Sequence, residues 1–274
     1  MADTTFGVIG GGIMGEALLS RLLNQGVFSP GAILVSDPQA ERRQFLERTY
    51  GVQTTTSNKM VVGQTQIVLL AIKPQMLSTV AQEFDQGSPV STPLGLSILA
   101  GVSLSRLHRC FPGWPMVRAM PNTPATVGAG ITALAPGVGV SPEQFHQARR
   151  IFASVGTVVE VPEALMDGVT ALSGSGPGYV ALVIEALADG GVAVGLPRAT
   201  AMALALQTVR GTAELLDQQS DIHPAVLKDR VTSPGGTTIA GIAELERAGL
   251  RSAFIEAVRA AHRRSVELGQ DDEL

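Results

Sequence analysis

The sequence predicts an α/β protein in two parts, a doubly wound parallel sheet over residues 1–165 and an all-α region over residues 166–274. Three observations predict it. Short β-branched runs alternate with stretches of helical apolar spacing through the first half. The strand signal stops after about residue 165, and a cluster of glycines directly follows the first apolar run. At 274 residues, two domains of ordinary size are expected.

Phe6–Ile9 is the first predicted strand, and Met14 to Gln25 reads as a helix with Ala17, Leu18, Leu22 and Leu23 at helical spacing. Residues 32–35 form the next strand and residues 41–50 the next helix. Ile67 to Ile72 and Leu94 to Ala100 are further strands, the former apolar throughout as a strand buried on both faces should be. A helix over 142–155 leads into a late strand at 158–161. Beyond this come five predicted helices, at 179–194, 198–216, 224–231, 238–248 and 251–268, rich in Ala and Leu and separated by Gly or Pro. Several, such as 199–206, are apolar on more than one face. A region of about 110 residues has too little interior to hide that surface, so a homo-oligomer built through the helical half is expected.

Composition narrows the function. A net charge of −4 and 4% aromatic residues argue against a nucleic-acid groove. The single Cys110 excludes an internal disulfide and any Cys-based zinc site, and the histidines at 108, 146, 223 and 262 lack ligand spacing, so no metal is expected. Mean hydropathy is +0.25, but Glu185 and Asp189 cut the longest apolar run and no uninterrupted stretch of roughly 18 apolar residues exists. Asp3 and the glycines at 10, 11, 12 and 15 are unlike a signal peptide. The expectation is a soluble cytoplasmic protein with no membrane partner, ending in a solvated acidic tail at 271–274.

Gly10-Gly11-Gly12-Ile13-Met14-Gly15 fits the G-x-G-x-x-G fingerprint of a Rossmann-type dinucleotide site, in the required strand–turn–helix setting. The first glycine permits the turn, Gly12 lets the backbone reach a pyrophosphate, and Gly15 allows close helix–strand packing. Asp37 follows the second strand, where an acidic residue bonds the adenosine ribose and points to NAD. Arg42 and Arg43 lie within reach of a 2′-phosphate or serve as solvated helix charges. Lys73, in Ala71-Ile72-Lys73-Pro74, ends a buried strand at the edge where open α/β sheets bind ligands. The prolines of Arg118 to Pro124 make a stiff polar loop expected to flank the nicotinamide, or a plain connection. Ser173 to Gly178 reads as close helix packing. Ser233-Pro234-Gly235-Gly236-Thr237-Thr238 precedes a helix and offers free N–H groups and hydroxyls for a small anion, or simply an N-cap.

Together these residues closely resemble the pyrroline-5-carboxylate reductase family, from the glycine turn through residues 71–74, 120–124 and 172–177 to Leu227-Lys228-Asp229 and the 233–238 segment. The resemblance implies a Rossmann domain joined to a helical dimerisation domain, in homodimers that assemble further. It implies reduction of the cyclic imine 1-pyrroline-5-carboxylate to L-proline, the last step of proline biosynthesis, with NADPH as the usual cofactor. The implied cofactor contacts are Gly10, Gly11, Gly12, Ile13, Met14, Ser36, Asn58, Ala71, Ile72, Lys73, Pro74, Ala100 and Gly101. Substrate contacts are implied at Glu163, Ser233, Gly235, Gly236, Thr237 and Thr238, with Thr238 as the catalytic residue bonding the ring nitrogen. Asp37-Pro38 stands where NADPH-favouring members carry an Asn-Arg pair, so NADP and NAD both stand as cofactors.

Hydride addition to a protonated imine needs no general acid, which suits this chain. A β-hydroxyacid dehydrogenase of similar architecture would need a base, usually a lysine early in its helical domain. The only lysines are Lys59, Lys73 and Lys228. A non-catalytic dinucleotide sensor is the third reading; it leaves the 233–238 loop without a purpose.

Overall fold

The computed structural model describes residues 5–84, 92–219 and 221–270; Asp3 and the acidic tail lie outside them. The first strands and helices are β1 (Phe6–Ile9), α1 (Ile13–Asn24), β2 (Ile33–Ser36), α2 (Ala40–Tyr50), β3 (Gln53–Thr55), α3 (Asn58–Gln64), β4 (Ile67–Leu70) and α4 (Leu77–Gln82). They are followed by β5 (Leu94–Ser97), α5 (Leu104–Cys110), β6 (Met116–Met120), β7 (Gly130–Pro136), α6 (Pro142–Ala153) and β8 (Gly156–Glu160). The strands make one sheet in the order β3-β2-β1-β4-β5-β6-β7-β8. The order reverses between β1 and β4, the crevice where doubly wound sheets bind ligands.

Alternation along the strands explains the two cores. Val8, Val35, Leu69 and Leu96 face one apolar cluster, while Ile9, Leu34, Val68 and Leu70 face the other. Helices cover both faces, which is why these strands read as continuous apolar runs. The sheet is mostly parallel rather than wholly so, because β6 and β7 pair antiparallel, with Val117 opposite Pro136 and Met120 opposite Ala133. The expected loop at 118–120 is therefore strand, and the turn begins only at Pro121. The strand signal there was hidden by Arg118, a charge inside an otherwise apolar run.

The chain forms two compact units, Met1–Ser175 with Ala261–Leu274, and Gly176–Ala260. The first thus extends past the boundary expected at 165. The reason is local: Met166, in the short helix α7 (Met166–Val169), is fully buried in the second sheet core, and Ser265 Oγ donates to Asp167 Oδ1 at 2.7 Å.

The second unit holds α8 (Gly176–Ala193), α9 (Arg198–Gln218), α10 (Pro224–Arg230), α11 (Thr237–Arg247) and the start of α12 (Leu250–Gln270). Among the described residues its buried apolar cluster is only Ala188, Ala201 and Ala205, with Ile184 against them. The α8–α9 crossing is close, since a Cβ on Gly191 would lie 2.9 Å from that of Ala201. Large apolar side chains stand outside this small core, Leu182 at 66% exposure and Leu204 at 54%. By length and hydropathy alone the helical run Glu163–Ala193 is sufficient to cross a membrane, and little of it is buried within the chain.

Candidate active site

The carboxyl ends of β2, β1, β4 and β5 lie side by side and carry most of the expected cofactor residues. Gly10 has φ +99°, and a Cβ there would sit 2.7 Å from the Ala71 carbonyl oxygen. Gly15 is held against Gly10 in the same way, so the chain's own packing requires both glycines. Gly12 differs. It has an ordinary φ of −68° and caps α1 without a side chain, and a Cβ there would meet nothing within 4 Å. The first helical bond is Glu16 N–H to the Gly12 carbonyl at 2.8 Å, which leaves the preceding helix-start N–H groups pointing into that space. Nothing among the described residues requires a glycine at position 12, and an open helix N-terminus fits a pyrophosphate.

Asp37, just past β2, accepts from Gly11 N–H through Oδ2 and from Gln39 N–H through Oδ1, both at 2.9 Å. Its carboxylate is therefore fixed beside the glycine turn. Ser36 Oγ donates to Asn58 Oδ1 at 2.6 Å, and Asn58 Nδ2 donates to Glu83 Oε1 at 2.9 Å, which fixes the amide at the same edge. Ala71 continues β4 by donating its N–H to the Ile9 carbonyl at 2.9 Å. Lys73 follows it, exposed, at the head of a short turn from Pro74. Gly101, after exposed Ala100, takes φ +75°.

Neither Arg42 nor Arg43 of α2 is simply solvated. Arg43 Nη1 donates to the Asp37 and Pro38 carbonyls at 2.8 and 3.0 Å. Arg42 bonds the Gly11 carbonyl through Nε and Glu16 Oε2 through Nη2, and it lies 5.0 Å from the centre of the Phe45 ring. Tyr50 Oη donates to the other Glu16 oxygen at 2.7 Å. Burial alone would raise the Glu16 carboxyl, but the bonds from Arg42 and Tyr50 and the charge of Arg42 outweigh it, so its pKa lies below the ordinary 4.5. Burial, followed by Glu16, raises the Tyr50 hydroxyl above 10.0. Sequence reasoning misses Glu16 and Tyr50, because the partners lie far apart in the chain and no local spacing marks them.

Glu163 accepts from Leu104 N–H at 2.5 Å and from buried Arg118 Nη1 at 3.3 Å, both on Oε1. It bonds the first N–H of α5, whose cap is Ser103, and pairs with Arg118, and Oε2 has no partner among the described residues. Asn122 is a tie within the first unit: Nδ2 donates to the Ser173 carbonyl at 3.2 Å and Oδ1 accepts from Ile131 N–H at 3.0 Å.

In the second unit, Ser233 to Gly236 form a turn closed by Gly236 N–H to the Ser233 carbonyl at 3.0 Å. Pro234 precedes Gly235 at φ +67°, the pairing a type II turn needs. The helix cap is Gly236 and makes no side-chain bond, so the threonines do not cap. The first helical bond runs from Ala240 N–H to the Gly236 carbonyl. Among the described residues the Thr237 and Thr238 hydroxyls have no partner, so this helix start presents unpaired N–H groups and two free hydroxyls.

A doubly wound sheet with an open glycine turn at its switch point, and a fixed carboxylate at the end of β2, defines a dinucleotide-dependent oxidoreductase. Residues 163–268 match the family described as pyrroline-5-carboxylate reductase dimerisation, and residues 5–100 match the family described as NADP oxidoreductase, coenzyme F420-dependent. The chain is 57% identical to a Synechocystis pyrroline-5-carboxylate reductase over 264 residues, covering 96% of this chain and 98% of the relative. It is similar to the solved pyrroline-5-carboxylate reductase of Coxiella burnetii (TM-score 0.89, 35% identity, 97% and 98% covered). The Plasmodium falciparum pyrroline carboxylate reductase, solved with NADP bound, is also similar (TM-score 0.88, 31% identity, 98% and 99% covered). The chain belongs to the pyrroline-5-carboxylate reductase family.

Proposed function

We infer that this chain reduces 1-pyrroline-5-carboxylate to L-proline at the expense of NADPH or NADH. The observation that carries this reading is that each reactant has a built place. An open glycine turn suits a dinucleotide, and a helix start with unpaired N–H groups and hydroxyls suits a small carboxylate with a ring nitrogen. The 57% identity spans both.

Gly10 to Met14 hold the pyrophosphate and Asp37 the adenosine ribose, with Ser36 and Asn58 fixing that edge. Ala71 to Pro74 and Ala100-Gly101 line the remaining strand ends. The bound nicotinamide supplies a hydride. The substrate carboxylate lies on the N–H groups of Gly235 and Thr237 beside the Ser233 hydroxyl, with Gly235 and Gly236 keeping the turn clear of side chains. The Thr238 hydroxyl bonds the ring nitrogen, and Glu163 contributes through Oε2. The imine nitrogen already carries its proton, so C–H bond formation leaves a neutral amine. One NAD(P)H and that proton are consumed. The side chains therefore act by positioning.

A homodimer, or a higher oligomer of dimers, covers the apolar faces of α8 and α9, as the match to a dimerisation family supports. Asp37 disfavours a 2′-phosphate beside it, so NADH serves as well as NADPH.

Optical measurement of NADPH and NADH oxidation with 1-pyrroline-5-carboxylate tests the activity. Turnover with either supports it. Dinucleotide binding without turnover would favour a sensor, and oxidation of a β-hydroxyacid with NAD would favour the dehydrogenase.

A further inference from the structure

Gly11 is gripped at both ends of its backbone by opposite charges. Its N–H donates to Asp37 and its carbonyl accepts from Arg42, which places the guanidinium at the edge where an adenosine ribose is read. A cation there is what a 2′-phosphate requires. Yet Arg42 is engaged on three sides: Nε on Gly11, Nη2 on Glu16, and its flat face near Phe45. Glu16 is itself held by Tyr50, and the Arg42 and Glu16 side chains are three-quarters buried, at 24% and 25% exposure. Arg43, the other nearby cation, is turned onto the Asp37 and Pro38 carbonyls.

We propose that Glu16 sets the choice between the two nicotinamide cofactors, by holding the Arg42 guanidinium in the α1–α2 junction and so denying a cation to the adenosine 2′-phosphate. Glu16 is a positioning residue, acting through Arg42. The inference rests on the assignment of the glycine turn as the dinucleotide site, and it is independent of which imine or alcohol is the substrate.

The test compares 2′,5′-ADP with 5′-AMP, and NADPH with NADH, by direct binding. The variants are Glu16→Gln, Arg42→Gln and the double variant. Glu16→Gln is expected to shift the affinity ratio toward the 2′-phosphorylated ligands by about tenfold, as one charge-assisted bond allows. The double variant should return to the wild-type ratio, and Arg42→Gln alone should leave the ratio unmoved while weakening both ligands alike. If Glu16→Gln does not fold, Glu16→Asp, shorter by one methylene, should give a smaller shift of the same sign. An unmoved ratio in the folded Glu16 variant overturns the proposal, as does a gain that survives removal of Arg42. Failure of the wild type to bind any of these ligands would instead overturn the dinucleotide site. Binding with the expected ratios but no reduction of 1-pyrroline-5-carboxylate would fault only the proposed activity.

Discussion

At the residue scale, Thr238 carries the strongest expectation. Thr238→Val keeps the shape and removes a hydroxyl that makes no bond among the described residues and plays no capping part. Stability should therefore barely change, while kcat/KM falls by about tenfold or more, the cost of losing a hydrogen bond of about 1.5–3 kcal/mol to a charged group. Steady-state kinetics beside a melting curve decide it, and normal kinetics would remove Thr238 from the site. The Glu16 network has a pH signature. A lowered carboxyl pKa stabilises the fold above the ordinary 4.5 and loses that contribution as pH falls through the folded value; a raised Tyr50 pKa loses its contribution as pH rises above 10.0. The Tm difference between wild type and Glu16→Gln should thus be flat at neutral pH and shrink in acid below that 4.5. Asp37 was legible in the sequence because it follows a strand in a known motif. Glu16 was not, since its partners Arg42 and Tyr50 meet it only after α2 packs on α1.

Helix starts are the recurring device among the elements. That of α1 is left open by Gly12, and Gly12→Val should abolish dinucleotide binding while the protein still folds, since nothing among the described residues stands within 4 Å of the added carbon. Fluorescence titration of NADPH against the soluble variant checks this; undiminished affinity would place the pyrophosphate elsewhere. The start of α11 is left open by Gly236, and that of α5 is closed by the Ser103 hydroxyl together with Glu163. Long, apolar-rich elements such as α1, α8 and α9 were readable to within a few residues. The sequence missed β3, β6 and β7: β3 is a three-residue polar edge strand, Arg118 interrupts β6, and β7 pairs antiparallel without a helical crossover before it. Local pattern carries no information about the direction of pairing.

For the whole molecule, a helical unit whose buried apolar cluster among the described residues is three alanines with Ile184 against them cannot account for its own stability. The exposed faces of α8 and α9 should become buried between copies, as in an obligate interface. Leu182→Glu is expected to shift sedimentation from dimer or larger to monomer and to lower Tm, and dilution of the wild type should cost activity and stability together. A fully active monomer at assay concentration would refute the assembly. The division of the chain has a further consequence. Because Ala261–Leu274 belongs with Met1–Ser175, the sheet-bearing part is not a continuous stretch of gene. A fragment ending at Ser175 would lose Ser265 from Asp167 and leave Gly101 without its neighbour Gly269. Recombination that joins this dinucleotide module to a foreign partner at a single crossover therefore produces a damaged module, and only an exchange with two breakpoints, inserting a helical cassette between 175 and 261, transplants it whole.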